Sequence, residues 1–284
     1  MKAPAFDYAR PTALAQVFSL LAQHGDSARL LAGGQTLLAT LNMRLSEPAL
    51  LIDIGDLVEL RGIALNGAML RIGALTTHAE IEASALVAQH APLLSQAVPH
   101  IAHAAIRNRG TLGGSLAFAD PAAEWPACAL ALNATLLLAS AKGQRRIAAA
   151  DFFTGLYSTA MQAGELILAC ELPILAADEH QVFDELARRQ GDYAVAGLAG
   201  RALLRHGRLH ELRLAFLCLG DRPLRATHTE QALQGRALDE ATLALAVRTL
   251  AEDLDPPADL THACATKLHL AGVLLQRVLK RLAV

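Results

Sequence analysis

The chain has 284 residues, 53% apolar, 18% charged and only 4% aromatic, enough for two or three domains with cores built mainly from Ala, Leu, Val and Ile. A net charge of −2 with no basic block argues against a nucleic-acid partner. The N-terminus carries Lys2, Asp7 and Arg10, so no signal peptide is expected. The longest uncharged stretch, Trp125 to Ala141, contains Pro126, Asn133 and Thr135 and falls short of the ~20 apolar residues of a membrane span.

In chain order, Leu14, Val17, Phe18 and Leu21 recur at helical spacing and predict a helix from Pro11 to His24, with Thr12 as cap and Gly25-Asp26 as stop. Arg29 to Ala32 is a short strand running into Gly33-Gly34, and Leu37, Leu38, Leu41 and Leu45 mark a helix after it. Strands are expected over Leu50 to Ile54 and Met69 to Gly73, then a helix from a Thr77 cap to Val87. Leu93 to Ile106 is apolar and helix-like despite Pro99. Trp125 to Ala141 divides into a buried helix, Ala127 to Leu132, and a strand, Thr135 to Ala139. Asp151 to Thr154 is expected as a loop and Leu166 to Leu172 as a strand ending at Pro173. Beyond a hydrophilic break at Ala176 to Gln181, extended segments over Val182 to Ala187, Ala194 to Leu204 and Leu212 to Leu219 precede helices over Leu238 to Leu250 and His262 to Leu282. Strands first and helices later predict an α+β unit.

Two double-glycine segments stand out, Leu31-Ala32-Gly33-Gly34-Gln35-Thr36-Leu37 and Thr111-Leu112-Gly113-Gly114-Ser115. Adjacent glycines let backbone approach a ligand closely. Successive N–H groups can cradle phosphate, and a neighbouring hydroxyl adds an uncharged donor. Two such turns suggest a diphosphate held from two sides; two ordinary tight turns that bind nothing are the alternative. Neither segment is a Walker loop, since no Gly-Lys-Ser/Thr follows, and the chain has no G-x-G for a Rossmann fingerprint.

Other chemistry is sparse. Asp120 and Glu124 could be acid–base residues, or simply a turn and a helix N-terminus opposing the dipole. His100 and His103 lie on an apolar segment and read as packed or surface residues. Arg188, Arg189, Asp192 and Tyr193 beside Gly191 read as a polar turn. Cys128, Cys170, Cys218 and Cys264 lie far apart without C-x-x-C, which predicts buried, reduced thiols and no iron–sulfur cluster in this chain. The histidines form no metal pattern, and no Ser/His/Asp set is visible.

Together, Ala32-Gly33-Gly34-Gln35-Thr36-Leu37-Leu38, Asn42-Met43-Arg44-Leu45, Leu51-Ile52-Asp53-Ile54, Gly73-Ala74-Leu75-Thr76-Thr77-His78, Ile106 to Ala117 running into Asp120-Pro121-Ala122-Ala123, and Arg189-Gln190-Gly191-Asp192-Tyr193-Ala194 resemble the FAD-binding medium subunit of molybdenum hydroxylases. Xanthine dehydrogenase and carbon monoxide dehydrogenase are members of that family. The resemblance covers nearly the whole chain. It implies an α+β fold: an N-terminal FAD-binding domain of the vanillyl-alcohol-oxidase type over residues 1–175, in two subdomains of roughly 1–55 and 56–175. A C-terminal α+β domain of the carbon monoxide dehydrogenase flavoprotein type would occupy 176–284.

The family also implies roles. Leu31, Ala32, Gly33, Gly34, Gln35, Thr36 and Leu37, with Thr111, Leu112, Gly113, Gly114 and Ser115, would contact the diphosphate and ribityl chain of FAD. Ile101, ten residues before Thr111, would touch adenine or flavin, and Tyr193 would lie against the isoalloxazine. The family usually has Asp where this chain has Glu124, a candidate partner of a ribityl hydroxyl. No catalytic side chain and no metal ligand is implied here. Function would be electron transfer within a cytoplasmic complex. A large partner would carry a molybdopterin-type molybdenum cofactor and a small partner two 2Fe–2S clusters, the three commonly assembling as a dimer of heterotrimers. A stand-alone FAD-dependent oxidase or reductase, which should carry its own acid or base, and a non-enzymatic nucleotide-binding scaffold are the competing readings.

Overall fold

The computed structural model describes residues 2–283. The first unit contains β1 (Asp7–Ala9), α1 (Leu14–His24), β2 (Ala28–Leu31), α2 (Leu37–Asn42) and β3 (Leu50–Asp53). β3 lies between β1 and β2 and pairs parallel with both, placing Leu51 opposite Tyr8 and Ile52 opposite Leu30. Val17 of α1 packs with Leu50 and Ile52 in a small core. α1 starts later than expected: Ala13 is the extended cap residue, while Gln16 accepts from the Thr12 N–H at 2.9 Å. Gly25, at φ +49°, ends α1 as the sequence suggests.

The second unit runs through β4 (Ile63–Asn66), β5 (Met69–Gly73), α3 (His78–Glu82), α4 (Ala85–His90), α5 (Pro92–Ala97), α6 (Ala104–Arg107), α7 (Leu112–Phe118), α8 (Glu124–Ala131), β6 (Thr135–Ser140), β7 (Gly143–Ala148), α9 (Ala149–Phe152), β8 (Phe153–Gly155), β9 (Ser158–Thr159) and β10 (Leu166–Pro173). Its antiparallel sheet has the order β4-β5-β10-β6-β7. β10 sits at the centre and is buried from Leu166 to Leu172, hence its readable apolar run. The edge strands β4 and β7 are not expected from the sequence: Gln144, Arg145 and Arg146 of β7 carry no apolar signal, and β4 is a four-residue strand exposed from Ala64 to Asn66.

Thr77 does cap α3, in a capping box with Glu80. The helix expected to reach Val87 breaks instead, because Ser84 caps a new one by accepting from the Val87 N–H at 3.3 Å. The expected helix over 93–106 also divides. A 3₁₀ turn at Val98–His100 follows α5, and Ala102 takes φ +43° before α6 begins. The expected loop at Asp151–Thr154 is the end of α9 and the start of β8.

The third unit comprises β11 (Glu179–Ala187), β12 (Ala194–Arg205), β13 (Arg208–Leu217), β14 (Leu224–Arg225), α10 (Thr227–Leu233), α11 (Glu240–Asp253) and α12 (Cys264–Leu282). The antiparallel sheet follows chain order. Period-2 alternation divides its faces. Leu198, Leu214 and Phe216 join the helical core with Leu274 and Val278. Ala199, Ala215 and Leu217 share the second unit's core with Ala127 and Ala131 of α8. The third sheet is therefore packed on both sides, and one apolar core joins it to the second unit. All four cysteines are free; Cys128 and Cys170 are buried as expected, but Cys264 is exposed at the start of α12.

Candidate cofactor site

The two glycine segments meet. A Cβ built on Gly33 would lie 2.1 Å from the Arg109 carbonyl oxygen and 2.9 Å from Gly110 Cα. Gly33 therefore lets the two segments touch rather than merely opening space for a ligand. Gly113 has a similar packing role, since its Cβ would fall 2.5 Å from that of Ala74. Gly34 takes φ +74° and turns the chain into α2.

The segments differ in what they offer. The N–H groups of Gly34, Gln35, Thr36 and Leu37 make no hydrogen bond among the described residues. Thr36 caps α2 by backbone position alone, leaving its hydroxyl uncommitted. Successive free donors of this kind are what a phosphate-binding loop presents. The second glycine pair is not a free turn: Gly113 and Gly114 lie in the first turn of α7. Leu112 N–H donates to Thr76 O at 3.0 Å, Gly113 N–H to Ala74 O at 2.8 Å, and Gly114 N–H to Thr111 Oγ1 at 3.2 Å. Thr111 Oγ1 accepts there, which leaves its O–H free to donate.

Both segments line one cavity of about 650 Å³ between the chain's units. Ala32, Gly33, Gly34, Gln35, Thr36, Leu37, Ile101, Thr111, Gly113, Gly114, Ser115, Glu124 and Tyr193 all border it. Leu31 and Leu112 do not. Leu112 points into the core at 3% exposure, and the Leu31 side chain lies against the Gly34 turn, its Cδ1 3.2 Å from where a Gly34 Cβ would be. From the third unit, the turn at Gly191 (φ +76°) rests on Ala102 and His103 and brings Tyr193, 70% exposed, to the cavity that Ile101 lines.

The acidic residues hold the turn and helix N-terminal positions that the sequence offers them. Glu124 is the first residue of α8, and Asp120 Oδ1 accepts from the Ala122 N–H at 2.9 Å, yet both line the cavity. Burial pushes the Glu124 carboxyl up to about 8, with the charge of Glu185 adding to the effect. Burial also raises Asp120. Glu185 is paired with His100 Nδ1 at 3.3 Å, so His100 joins the second unit to the third.

Sequence reading missed several lining residues: His78, Asp120 as a wall residue, Phe118 and Tyr157. Phe118 and Tyr157 pack with ring centroids 4.9 Å apart and planes tilted at 48°. Tyr157 sits at φ +50° in the turn between β8 and β9, which no local pattern announces. His78 had a usable signal, because the Thr77–Glu80 capping box fixes it as the first helical residue. The site thus offers unpaired N–H groups, two flanking hydroxyls, carboxyls deeper in and an aromatic at one end. A ligand with a diphosphate, a polyol and a flat ring system fits this donor set, and the open space at Gly114 suits it too: apart from Thr111 Oγ1 at 2.8 Å, a Cβ there meets nothing nearer than Ala32 Cβ at 3.8 Å.

Comparison with known proteins is decisive. Residues 4–175 match the family described as FAD binding domain in molybdopterin dehydrogenase, and residues 181–282 match the CO dehydrogenase flavoprotein C-terminal domain. The chain belongs to this flavoprotein family of molybdopterin dehydrogenases. Its relatives are oxidoreductase subunits. It is 36% identical, over 99% of its own length and 95% of the relative's, to the 6-hydroxypseudooxynicotine dehydrogenase complex subunit alpha of Paenarthrobacter nicotinovorans. A chain in the carbon monoxide dehydrogenase structure from Hydrogenophaga pseudoflava superposes with TM-score 0.97 at 34% identity, covering 99% of this chain and 98% of that one. A chain of quinoline 2-oxidoreductase from Pseudomonas putida 86 superposes with TM-score 0.94 at 40% identity, covering 100% and 98%. The α+β architecture is that of this flavoprotein family, and FAD is the cofactor its N-terminal domain binds.

Proposed function

We propose that this chain carries FAD as the electron-transfer subunit of a multi-subunit molybdenum dehydrogenase. The observation that carries the reading is the meeting of the two glycine segments on one cavity with four unpaired N–H groups on the first of them. The Gly34–Leu37 N–H groups hold the diphosphate, the Thr111 and Ser115 hydroxyls donate beside it, Glu124 meets the ribityl chain, and Ile101 and Tyr193 bound the ring system. Bound FAD supplies the redox chemistry, while the protein positions and tunes it.

The electron source is a partner. A small subunit with two 2Fe–2S clusters relays electrons from a large subunit with a molybdenum–pterin cofactor, in a dimer of heterotrimers. Relatives named as a complex subunit and as medium chains support a partnered role. A cytoplasmic location is supported by four free cysteines. The domain division at 175/176 is supported by β10 ending at Pro173 and β11 starting at Glu179, and the subdomain division near 55 by the chain passing from β3 to β4.

The test is purification with and without co-expressed partners. The isolated chain should show flavin absorption and no turnover of an organic substrate, and the complex should have its flavin bleached by that substrate. Turnover by the isolated chain overturns the partnered role, and absence of flavin overturns the cofactor assignment.

A further inference from the structure

We propose that His78 is a neutral hydrogen-bond donor to the ribityl–diphosphate chain of the cofactor, held in the required tautomer by Trp125. The inference rests on the reading of the cavity as the FAD site. Trp125 Nε1–H donates to His78 Nδ1 at 2.9 Å. An indole nitrogen can only donate, so Nδ1 must be the acceptor and the ring proton must sit on Nε2. Trp125 is fully buried and cannot take another partner from solvent, and His78 is 5% exposed. The two rings are tilted at 56° with centroids 5.7 Å apart, so edge contact and not stacking fixes the imidazole.

Nε2 is on the side of the second glycine segment. His78 N–H donates to Gly110 O at 2.9 Å, and a Cβ on Gly110 would fall 2.7 Å from Nε2. Gly110 is thus the residue whose missing side chain keeps that nitrogen clear. No protein acceptor for Nε2–H occurs among the described residues, while His78 and Gly110 both line the cavity. Nε2 is not closed off from the cavity, so a ligand oxygen there can accept its proton. Burial, with Arg107 nearby, also lowers the imidazole to about 4, which keeps it uncharged at neutral pH. The arrangement parallels a metal-bound or catalytic histidine in which the bond at one nitrogen decides the proton at the other.

The experiment uses the full chain and titrates FAD into apoprotein, reading flavin fluorescence and thermal stability. His78→Gln retains a donor near the Nε2 position and should bind FAD within about threefold of wild type. His78→Leu removes it and should weaken FAD roughly ten- to a hundredfold, the range for a hydrogen bond to a charged group. His78→Leu also strands the Trp125 N–H, so a double variant with Trp125→Phe removes both partners and should fold while showing the same loss of FAD. Histidine ¹⁵N shifts of the wild type give an independent reading: an Nε2–H tautomer in apoprotein whose Nε2 signal moves on FAD addition. Unchanged FAD affinity in the double variant, equal loss in His78→Gln, or an Nδ1–H tautomer each overturns the proposal. Failure of the wild type to bind FAD would instead overturn the reading of the site.

Discussion

Gly33 and Arg109 are in contact through backbone alone: a single added methyl at Gly33 would sit 2.1 Å from the Arg109 carbonyl oxygen. Seventy-six positions apart in sequence, they form the seam between the first and second units and set the distance between the two glycine segments that line the cavity. Gly33→Ala must force that seam apart. Overpacking of this kind costs about 1–3 kcal/mol, so the variant should melt earlier and purify with little FAD. A variant with wild-type melting and full flavin content would mean the seam can open without consequence.

Thr111 has two roles that substitution can separate. Its Oγ1 caps α7 by accepting from Gly114 N–H, and the residue also lines the cavity. Thr111→Val should lose about 1 kcal/mol of stability from the cap together with FAD affinity, whereas Thr111→Ser should keep both. Chemical denaturation and FAD titration measure the two effects on the same samples. If the valine variant loses stability but not affinity, the hydroxyl does no more than cap.

Glu124 makes apoprotein stability depend on pH. Its folded carboxyl titrates near 8 against 4.5 as the reference value. Below about 4.5 both states are protonated and the group contributes nothing. Between 4.5 and 8 the unfolded chain has lost the proton that the folded one keeps, so stability falls with rising pH, by at most about 1.4 kcal/mol per unit. Above 8 the penalty is constant. Glu124→Gln should abolish this slope and be more stable than wild type at pH 8 but not at pH 4. Parallel stability–pH curves for the two proteins would show that the carboxyl is better solvated than its surroundings suggest.

Tyr193 is 70% exposed and stands at the cavity from a turn of the third unit. Tyr193→Ala should change melting little, within about 0.5 kcal/mol as for exposed sites, and should alter the flavin spectrum or potential. Gly191→Ala tests the same turn from behind. At φ +76° its Cβ would approach Ala102 O to 2.7 Å, so it should displace Tyr193 and reproduce the spectral change at a larger cost in stability. Spectra identical to wild type in both variants would place Tyr193 away from the ring.

Legibility followed locality. The buried helix and strand of Trp125–Ala141, the central strand β10 and the Thr77 cap are readable because apolar runs and caps act within a few residues. The edge strands β4 and β7 were not, since their pairing comes from neighbours and not from their own side chains. The helices over 77–87 and 93–106 were read as continuous because the Ser84 cap and the positive φ of Ala102 leave little trace in hydrophobic periodicity.

The site divides in the same way. By itself the sequence determined that two glycine segments with adjacent hydroxyls exist and that they match a flavoprotein family, because backbone approach demands glycine wherever it occurs. Only the tertiary structure decided that the first segment keeps its N–H groups free while the second spends its own on Thr76, Ala74 and Thr111. It alone decided that Gly33 serves a seam between chain segments, and that Trp125 sets the proton on His78. Hydrogen-bond partners and close contacts are shared between residues far apart in the chain, so no residue's neighbours in sequence can state which of its donors remain to bind a ligand.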